Sequence, residues 1–288
     1  MHGTGRLDIV QQRLGLGCAR LGSVLGRDPA EASRLVHAAF EKGIRFFDTA
    51  NIYGQGESER ILGSALRSRR KRVIIVTKAG QYFPIWMALA RPFKRVLGPL
   101  IRQSGSGRLV VSKIREAALP QDFSDRFLRS STEASLQRLN TDYIDILLLH
   151  GPPSHVIANG DAMRSLEKIR ASGKAIRIGV SCEDVDSGLL ALDDRRVEVV
   201  ELPLWPVTDA TNRFLERAGR QGVFVIGRGL MSTALQAASN ERWTIVRAAL
   251  ASSLARREIS RLLIGTTRIA NLTEVLETIQ NIEVNPCT

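Results

Sequence analysis

Cysteine is scarce. Cys18, Cys182 and Cys287 are the 3 in the whole chain, too few and too scattered for a disulfide framework or a zinc site, and a reducing, cytoplasmic setting is expected. No window approaches the ~18 uninterrupted apolar residues of a membrane span, so no integral membrane segment is expected. The N-terminus lacks a charged stretch followed by an apolar one, and export is not expected. Acidic residues are also in short supply: 41 Lys and Arg stand against 29 Asp and Glu, a net charge of +12. No nucleic-acid motif accompanies that charge, and the basic residues, mostly Arg, are spread along the chain, so a nucleic-acid partner is not expected. The charge reads as a basic, solvated surface that can attract an anionic ligand. A glycine-rich dinucleotide fingerprint is missing as well. Gly15-Leu16-Gly17 is too short, and Gly54-Gln55-Gly56 is explained by turn geometry.

What the chain has is alternation. At 288 residues it is long enough for one large domain with a sizeable core. Residues 1–12 read as a loose N-terminal segment and Leu14–Gly17 as a short glycine-bearing strand. Asp28 suits a helix cap and Pro29 a first helical position. The helix from Ala30 to Phe40 carries Leu35, Val36, Ala39 and Phe40 on one apolar face before Gly43 ends it. Further strands are expected at Ile44–Phe47, Val73–Thr77, Tyr143–Leu149, Ile176–Val180, Val197–Leu202, Val223–Ile226 and Leu262–Ile264. Helices are expected at Ser58–Ser68, Ser124–Leu139, Asp161–Ala171, Ala210–Gly219, Thr244–Arg257 and Asn271–Ile279. Runs such as Ile146-Leu147-Leu148-Leu149 are too apolar to alternate, as a parallel sheet buried on both faces requires. The pattern predicts an α/β fold: a single (β/α)8 TIM barrel domain over residues 1–288, with its chemistry on the C-terminal rim. One segment breaks the rhythm. Gly80–Gln121, about forty residues, is far longer than an ordinary barrel loop. It holds Trp86, Phe93 and a series of Lys and Arg, and reads as a lid over a substrate or as an exposed basic helix touching a partner or membrane surface. Its place on the rim favours the lid.

The most informative stretch is Phe46-Phe47-Asp48-Thr49-Ala50-Asn51-Ile52-Tyr53-Gly54, where a buried apolar strand gives way to a polar loop. Alone, it is read equally well as an Asp that caps the loop and a Tyr that packs. Lys78 ends the next strand and His150 the one after. A carboxylate, a phenol, an amine and an imidazole at the C-terminal ends of three successive strands are hard to explain as packing. Asp145, in the strand of His150, reads as an inward or packing residue paired with a cation, and not as catalytic. His2, His37 and His155 fall in no motif.

Together, Asp48-Thr-Ala-Asn-Ile-Tyr-Gly54, Val76-Thr-Lys78 and Asp142-Tyr-Ile-Asp-Ile-Leu-Leu-Leu-His150 resemble the aldo-keto reductase superfamily, from Leu14 to about Ile279. The resemblance implies a catalytic set of Asp48, Tyr53, Lys78 and His150 and a reversible carbonyl reduction with hydride from a nicotinamide. Tyr53 would be the proton donor, its pKa lowered by Lys78, which Asp48 holds in place. His150 would orient the carbonyl oxygen. The resemblance further implies a cofactor held in extended form. Its adenosine end would lie near Gly265, Thr266, Thr267, Arg268 and Glu274, its pyrophosphate near Arg228, and its nicotinamide under Trp205. Thr266, Thr267 and Arg268 suit the extra phosphate of NADPH (NADP+), with NADH second.

The departures are specific. The family usually has Ser-Asn after the fifth strand and Gln at the end of the sixth; this chain has Ser181-Cys182 and Glu201. Asn271 and Val275 stand where relatives often have Arg and Asn. An ionised Glu201 near the ring would favour oxidised nicotinamide, unless it pairs with an Arg or is protonated. The expectation is a cytoplasmic oxidoreductase that acts on an aldehyde, ketone or sugar-type carbonyl. The alternatives are a barrel doing elimination or dehydration, and a nicotinamide sensor that binds a partner through residues 80–121.

Overall fold

The computed structural model describes residues 12–22, 28–84, 119–230 and 242–280. β1 (Leu14–Gly17) leads through α1 (Pro29–Glu41), β2 (Phe46–Asp48) and α2 (Glu57–Leu66) to β3 (Ile74–Ala79). The chain continues with α3 (Asp125–Leu139), β4 (Ile144–His150), α4 (Ser154–Asn159), α5 (Asp161–Ala171) and β5 (Ala175–Ser181). α6 (Val185–Ala191), β6 (Val199–Pro203), α7 (Asp209–Gln221), β7 (Phe224–Arg228), α8 (Arg242–Ala255), β8 (Ile259–Gly265) and α9 (Ile269–Gln280) complete it. Each strand pairs in parallel with the next, and β8 returns to β1 to close an eight-stranded barrel. The expected (β/α)8 fold is what the chain forms.

The local chemistry accounts for the elements. Asp28 Oδ1 accepts from the Glu31 amide at 2.9 Å and Pro29 opens α1, whose Leu35, Val36, Ala39 and Phe40 are buried. Ser124 caps α3, and Thr208 and Thr211 form a reciprocal capping box on α7. Inside the barrel, Phe46, Val76, Ile146, Leu148, Val199, Ile226 and Leu263 make one apolar plug. Outside it, a larger core joins strands to helices. The interior is filled, so the barrel is a scaffold and the work is left to its rim.

The strands sit nearer the rim than hydropathy suggests. β2 and β6 begin two residues after the expected Ile44 and Val197, and the ladder runs on to Asp48, His150, Ser181 and Arg228. Hydropathy marks burial, and Ile44 and Val197 are buried; ladder pairing instead extends to polar residues that face the rim. The helix expected over Ser58–Ser68 begins earlier, after Gly56 in a left-handed conformation (φ 81°), and ends at Leu66 in a 3-10 turn, Arg67–Arg72. α4 and α6 were not expected, being of 6 and 7 residues and too short for an apolar period to show.

Residues 1–11, most of the long segment after β3 (85–118, with Trp86 and Phe93) and Cys287 lie outside the described residues. The ends of that segment meet: Gln81 and Gln121 form an antiparallel bridge, and Tyr82 N donates to Pro120 O at 3.0 Å. Gln81 Nε2 donates to His150 O and Gln121 Nε2 to Gly151 O, which clips this stem to the end of β4. Among the described residues, no helix is long and apolar enough to cross a membrane and no group of three His, Cys, Asp or Glu could hold a metal ion.

β5 and β6 approach closely at Gly179, where a Cβ would lie 1.8 Å from the Val199 carbonyl oxygen. Gly179→Ala must push β5 from β6, and a loss of about 1–3 kcal/mol or more in unfolding free energy is expected. Urea unfolding tests it; unchanged stability would mean the two strands do not touch there.

Candidate active site

The site follows from register. His150 of β4 pairs with Ser181 of β5, which pairs with Glu201 of β6, so these three side chains stand in one row on the rim. Lys78 comes from β3 and Asp48 from the end of β2. Tyr53 lies in a single 3-10 turn, Tyr53–Gln55, at the end of the β2 loop. That loop is pinned: the Thr49 amide donates to Val76 O at 2.8 Å, and Ser58 Oγ bonds both Thr49 Oγ1 at 2.8 Å and Cys18 O at 3.0 Å.

Lys78 is the hub. It is wholly buried, donates a short hydrogen bond to Asp48 Oδ1 and another to Thr49 O at 3.1 Å, and its Nζ is 3.2 Å from Glu201 Oε2. Burial works against its charge, but Asp48 and Glu201 outweigh that and raise its pKa, so it stays an ammonium. The ammonium is 5.3 Å from the centroid of the Tyr53 ring. The Tyr53 and His150 rings meet edge to face, with centroids 5.8 Å apart. The sequence-predicted quartet is therefore brought together.

One electrostatic detail differs from expectation. Burial pushes the Tyr53 phenol up to about 12; Lys78 and Arg228 pull it down, while Asp48 and Glu201 push it further up. The net direction is opposite to the lowering expected from Lys78 alone. Burial, Lys78 and Arg228 together hold the His150 pKa well below its ordinary value, so the imidazole is neutral. Its Nδ1 is buried and has no hydrogen-bond partner among the described residues.

Glu201 is nearly inaccessible, at 1% exposure. Its Oε1 accepts from Ser181 Oγ at 3.3 Å and lies 3.6 Å from Arg228 Nε. Arg228 also donates to Cys182 O at 2.8 Å and to Glu183 Oε2 at 3.0 Å. Glu201 is thus a paired carboxylate, the condition under which no bias toward oxidised nicotinamide is expected. Cys182 is buried, and burial first, then Asp184, push its thiol up to about 12.

The remaining predicted residues lie further along the same rim. Trp205, after β6, packs half-buried against the outer core. Gly265 ends β8, and a Cβ there would meet nothing within 4 Å. Thr266 Oγ1 accepts from the Arg268 amide at 3.1 Å, which leaves the Arg268 side chain exposed just before α9. Glu274 is exposed on α9. Asp145 pairs with a cation as expected, Arg70 at 2.7 Å, and accepts from the Ile75 amide.

One buried support was not legible. Glu59, wholly buried, takes Arg138 Nε at 2.6 Å and Thr77 Oγ1 at 2.6 Å, joining α2, α3 and β3 behind Lys78. In sequence it is one more acid in a helix's first turn, like Glu57; only the packing of α3 singles it out.

Comparison with known proteins shows which family the chain is similar to. D-threo-aldose 1-dehydrogenase of a Pseudomonas species is 36% identical over 183 residues, which cover 59% of this chain and 50% of that enzyme. The chain thus spans about half the length of that relative. L-galactose dehydrogenase of Arabidopsis thaliana is 27% identical over 322 residues, covering 98% of this chain and 89% of that enzyme. The holo form of an aldo-keto reductase from Bacillus halodurans has the same fold, with a TM-score of 0.74 at 22% identity over 96% of this chain and 88% of that one. The Aldo/keto reductase family model matches residues 13–283, nearly the whole chain, and with the barrel and its rim residues in place the protein belongs to the aldo/keto reductase family.

Proposed function

We propose that this protein is a nicotinamide-dependent oxidoreductase that reduces an aldehyde, ketone or sugar-type carbonyl, prefers NADPH and uses Tyr53 as its proton donor. The observation that carries this reading is the meeting of Tyr53, His150, Lys78 and Asp48 on one rim, with a buried ammonium beside the phenol. The names of the Pseudomonas and Arabidopsis relatives support a sugar-type substrate.

The residues present fit a dinucleotide. Gly265 leaves space for close backbone approach, and the start of the 12-residue α9 with the exposed Arg268 offers amides and a guanidinium to a phosphate. Trp205 presents a half-buried indole for an aromatic ring. When bound, the reduced nicotinamide supplies the hydride. The remaining steps belong to the chain's own groups.

A carbonyl that accepts hydride at carbon develops charge on oxygen, which must be stabilised and protonated. A phenol raised to about 12 keeps its proton throughout the physiological range, so Tyr53 is poised as an acid. Once that proton leaves, the nearby Lys78 ammonium stabilises the tyrosinate. A neutral His150 has one N–H to give and places no second cation beside Lys78. Glu201, turned toward Lys78 and Arg228, is not free to grip a carboxamide, so in this proposal that grip falls to Ser181 and neighbouring backbone.

Tyr53→Phe should lower the rate of carbonyl reduction by ~10² to 10⁴ while cofactor affinity stays nearly constant. Steady-state rates across a carbonyl panel, with a fluorescence titration of cofactor, test this. A variant that keeps most of its activity would show that the proton comes from elsewhere.

NADPH should bind more tightly than NADH, and Arg268→Ala should narrow the difference by about 1–3 kcal/mol, the scale of a charge-assisted bond. Dissociation constants for both cofactors check it. Equal affinities in the native protein would remove the role given to Thr266, Thr267 and Arg268.

A further inference from the structure

Three guanidinium groups converge on one phenylalanine at the end of the barrel away from the rim. Phe40 lies in the last turn of α1 and is 3% exposed. Its ring centroid is 3.9 Å from Arg45 Cζ, 4.5 Å from Arg69 Cζ and 5.0 Å from Arg72 Cζ. Arg45 stands just before β2, whose far end is Asp48; Arg69 and Arg72 stand in the 3-10 turn before β3, whose far end carries Lys78. Each cation gains from the electron density of the ring. Together, however, three like charges are brought within about 10 Å of one another, inside the screening length of 0.1 M salt. Burial first, then the charges of Arg72 and Arg69, lower the Arg45 pKa, and Glu41 opposes them.

Among the described residues, Glu41 is the one carboxylate that pairs with this cluster, through Arg69 Nη2 at 2.7 Å. The other branch of Arg69, Nη1, meets His37 Nδ1 at 3.1 Å. Arg45 Nη1 donates to Phe40 O and Ile44 O, which anchors the side chain and leaves its Nη2 unused among the described residues. Arg72 is exposed and, among the described residues, donates no hydrogen bond. One anchored and one unengaged guanidinium thus offer donors beside a third that is already paired. Planar guanidinium forks match the oxygens of a phosphate.

We propose that Arg45, Arg69 and Arg72 form a binding site for a compact phosphate-bearing anion, on the face of the barrel away from Tyr53 and Lys78. The ligand is small because the unpaired charge is local. Arg70, next in the turn, is taken by Asp145 at 2.7 Å and by Tyr143 O at 2.9 Å. Glu41, its side chain 65% exposed, stands on the flank. A polyanion or a lipid surface laid across this face meets that carboxylate, and like charges in such a contact are costly. A single phosphate needs only the three arginines and relieves their repulsion. The carbonyl chemistry proposed above uses none of these residues, so the site stands or falls by itself.

The test is calorimetric titration of the full chain with inorganic phosphate at fixed pH and ionic strength. Native protein should bind phosphate saturably, and Arg72→Gln should weaken binding ~10-fold or more, the scale of one lost charge-assisted hydrogen bond. Arg164→Gln removes the same charge from an exposed pair on α5 and should leave binding unchanged. Arg268→Ala, at the opposite rim, should also leave it unchanged. Absence of saturable binding would overturn the site. So would an equal loss in Arg164→Gln, which would mean that only net charge matters, or a loss in Arg268→Ala, which would place the phosphate on the rim. A long polyphosphate or phosphatidylserine vesicles binding through Arg72 where phosphate does not would assign the cluster to an extended anionic partner and also overturn it. A second measurement needs no variant: phosphate should protect Arg45 and Arg72 of the native chain from phenylglyoxal, read by mass spectrometry, and unprotected arginines would count against the site.

Discussion

A lysine ammonium with no exposed surface is the constraint on which the rest of this structure depends. Removing such an ion from water costs several kcal/mol even after relaxation, and the cost is met only by well-placed partners. Those partners are Asp48 and Thr49 O, at and just past the end of β2 beside the strand that carries Lys78, and Glu201 in β6 across the barrel from it. The ammonium is therefore tolerable only in a closed barrel of this register. The apolar plug of Phe46, Val76, Ile146 and Leu148 below it sets the depth at which polar side chains can begin.

The same logic extends behind the rim. The row of His150, Ser181 and Glu201 requires β5 and β6 to lie close, and the hydrogen at Gly179 is what allows it. The loop that presents Tyr53 is held from beneath by Ser58 and leads into α2, which Glu59 fastens to Arg138 and Thr77. These supports are buried, yet each fixes a group that stands on the rim. Preorganisation of this kind lets a rim donor or charge act without reorganising at the moment of reaction.

The barrel was legible because parallel strands buried on both faces are written as apolar runs, and the helix caps at Asp28 and Ser124 are local chemistry. The meeting of Asp48, Tyr53, Lys78 and His150 was legible because all four follow apolar runs at strand ends. Strand limits were less so, since residues such as Asp48 and Ser181 pair in the ladder without looking like strand formers. Glu59 and the second carboxyl on Lys78 could not be read from spacing. Glu59 is 79 residues from Arg138, and Glu201 reaches Lys78 only through closure of the sheet. The sign of the Tyr53 shift was misjudged for a related reason: burial, invisible in sequence, outweighs the nearby cation.

The paired glutamines after β3 have a wider consequence. Gln81 and Gln121 bridge each other and each bonds the backbone at the end of β4, so the chain leaves and re-enters the barrel at one fixed gate. For a chain tethered at such a neck, doubling the intervening length adds only about 0.6 kcal/mol of closure entropy. The entropy of closing the neck is thus almost indifferent to the length of chain between these two residues. Beside His150, the barrel has a fixed junction at which length can change at little entropic cost.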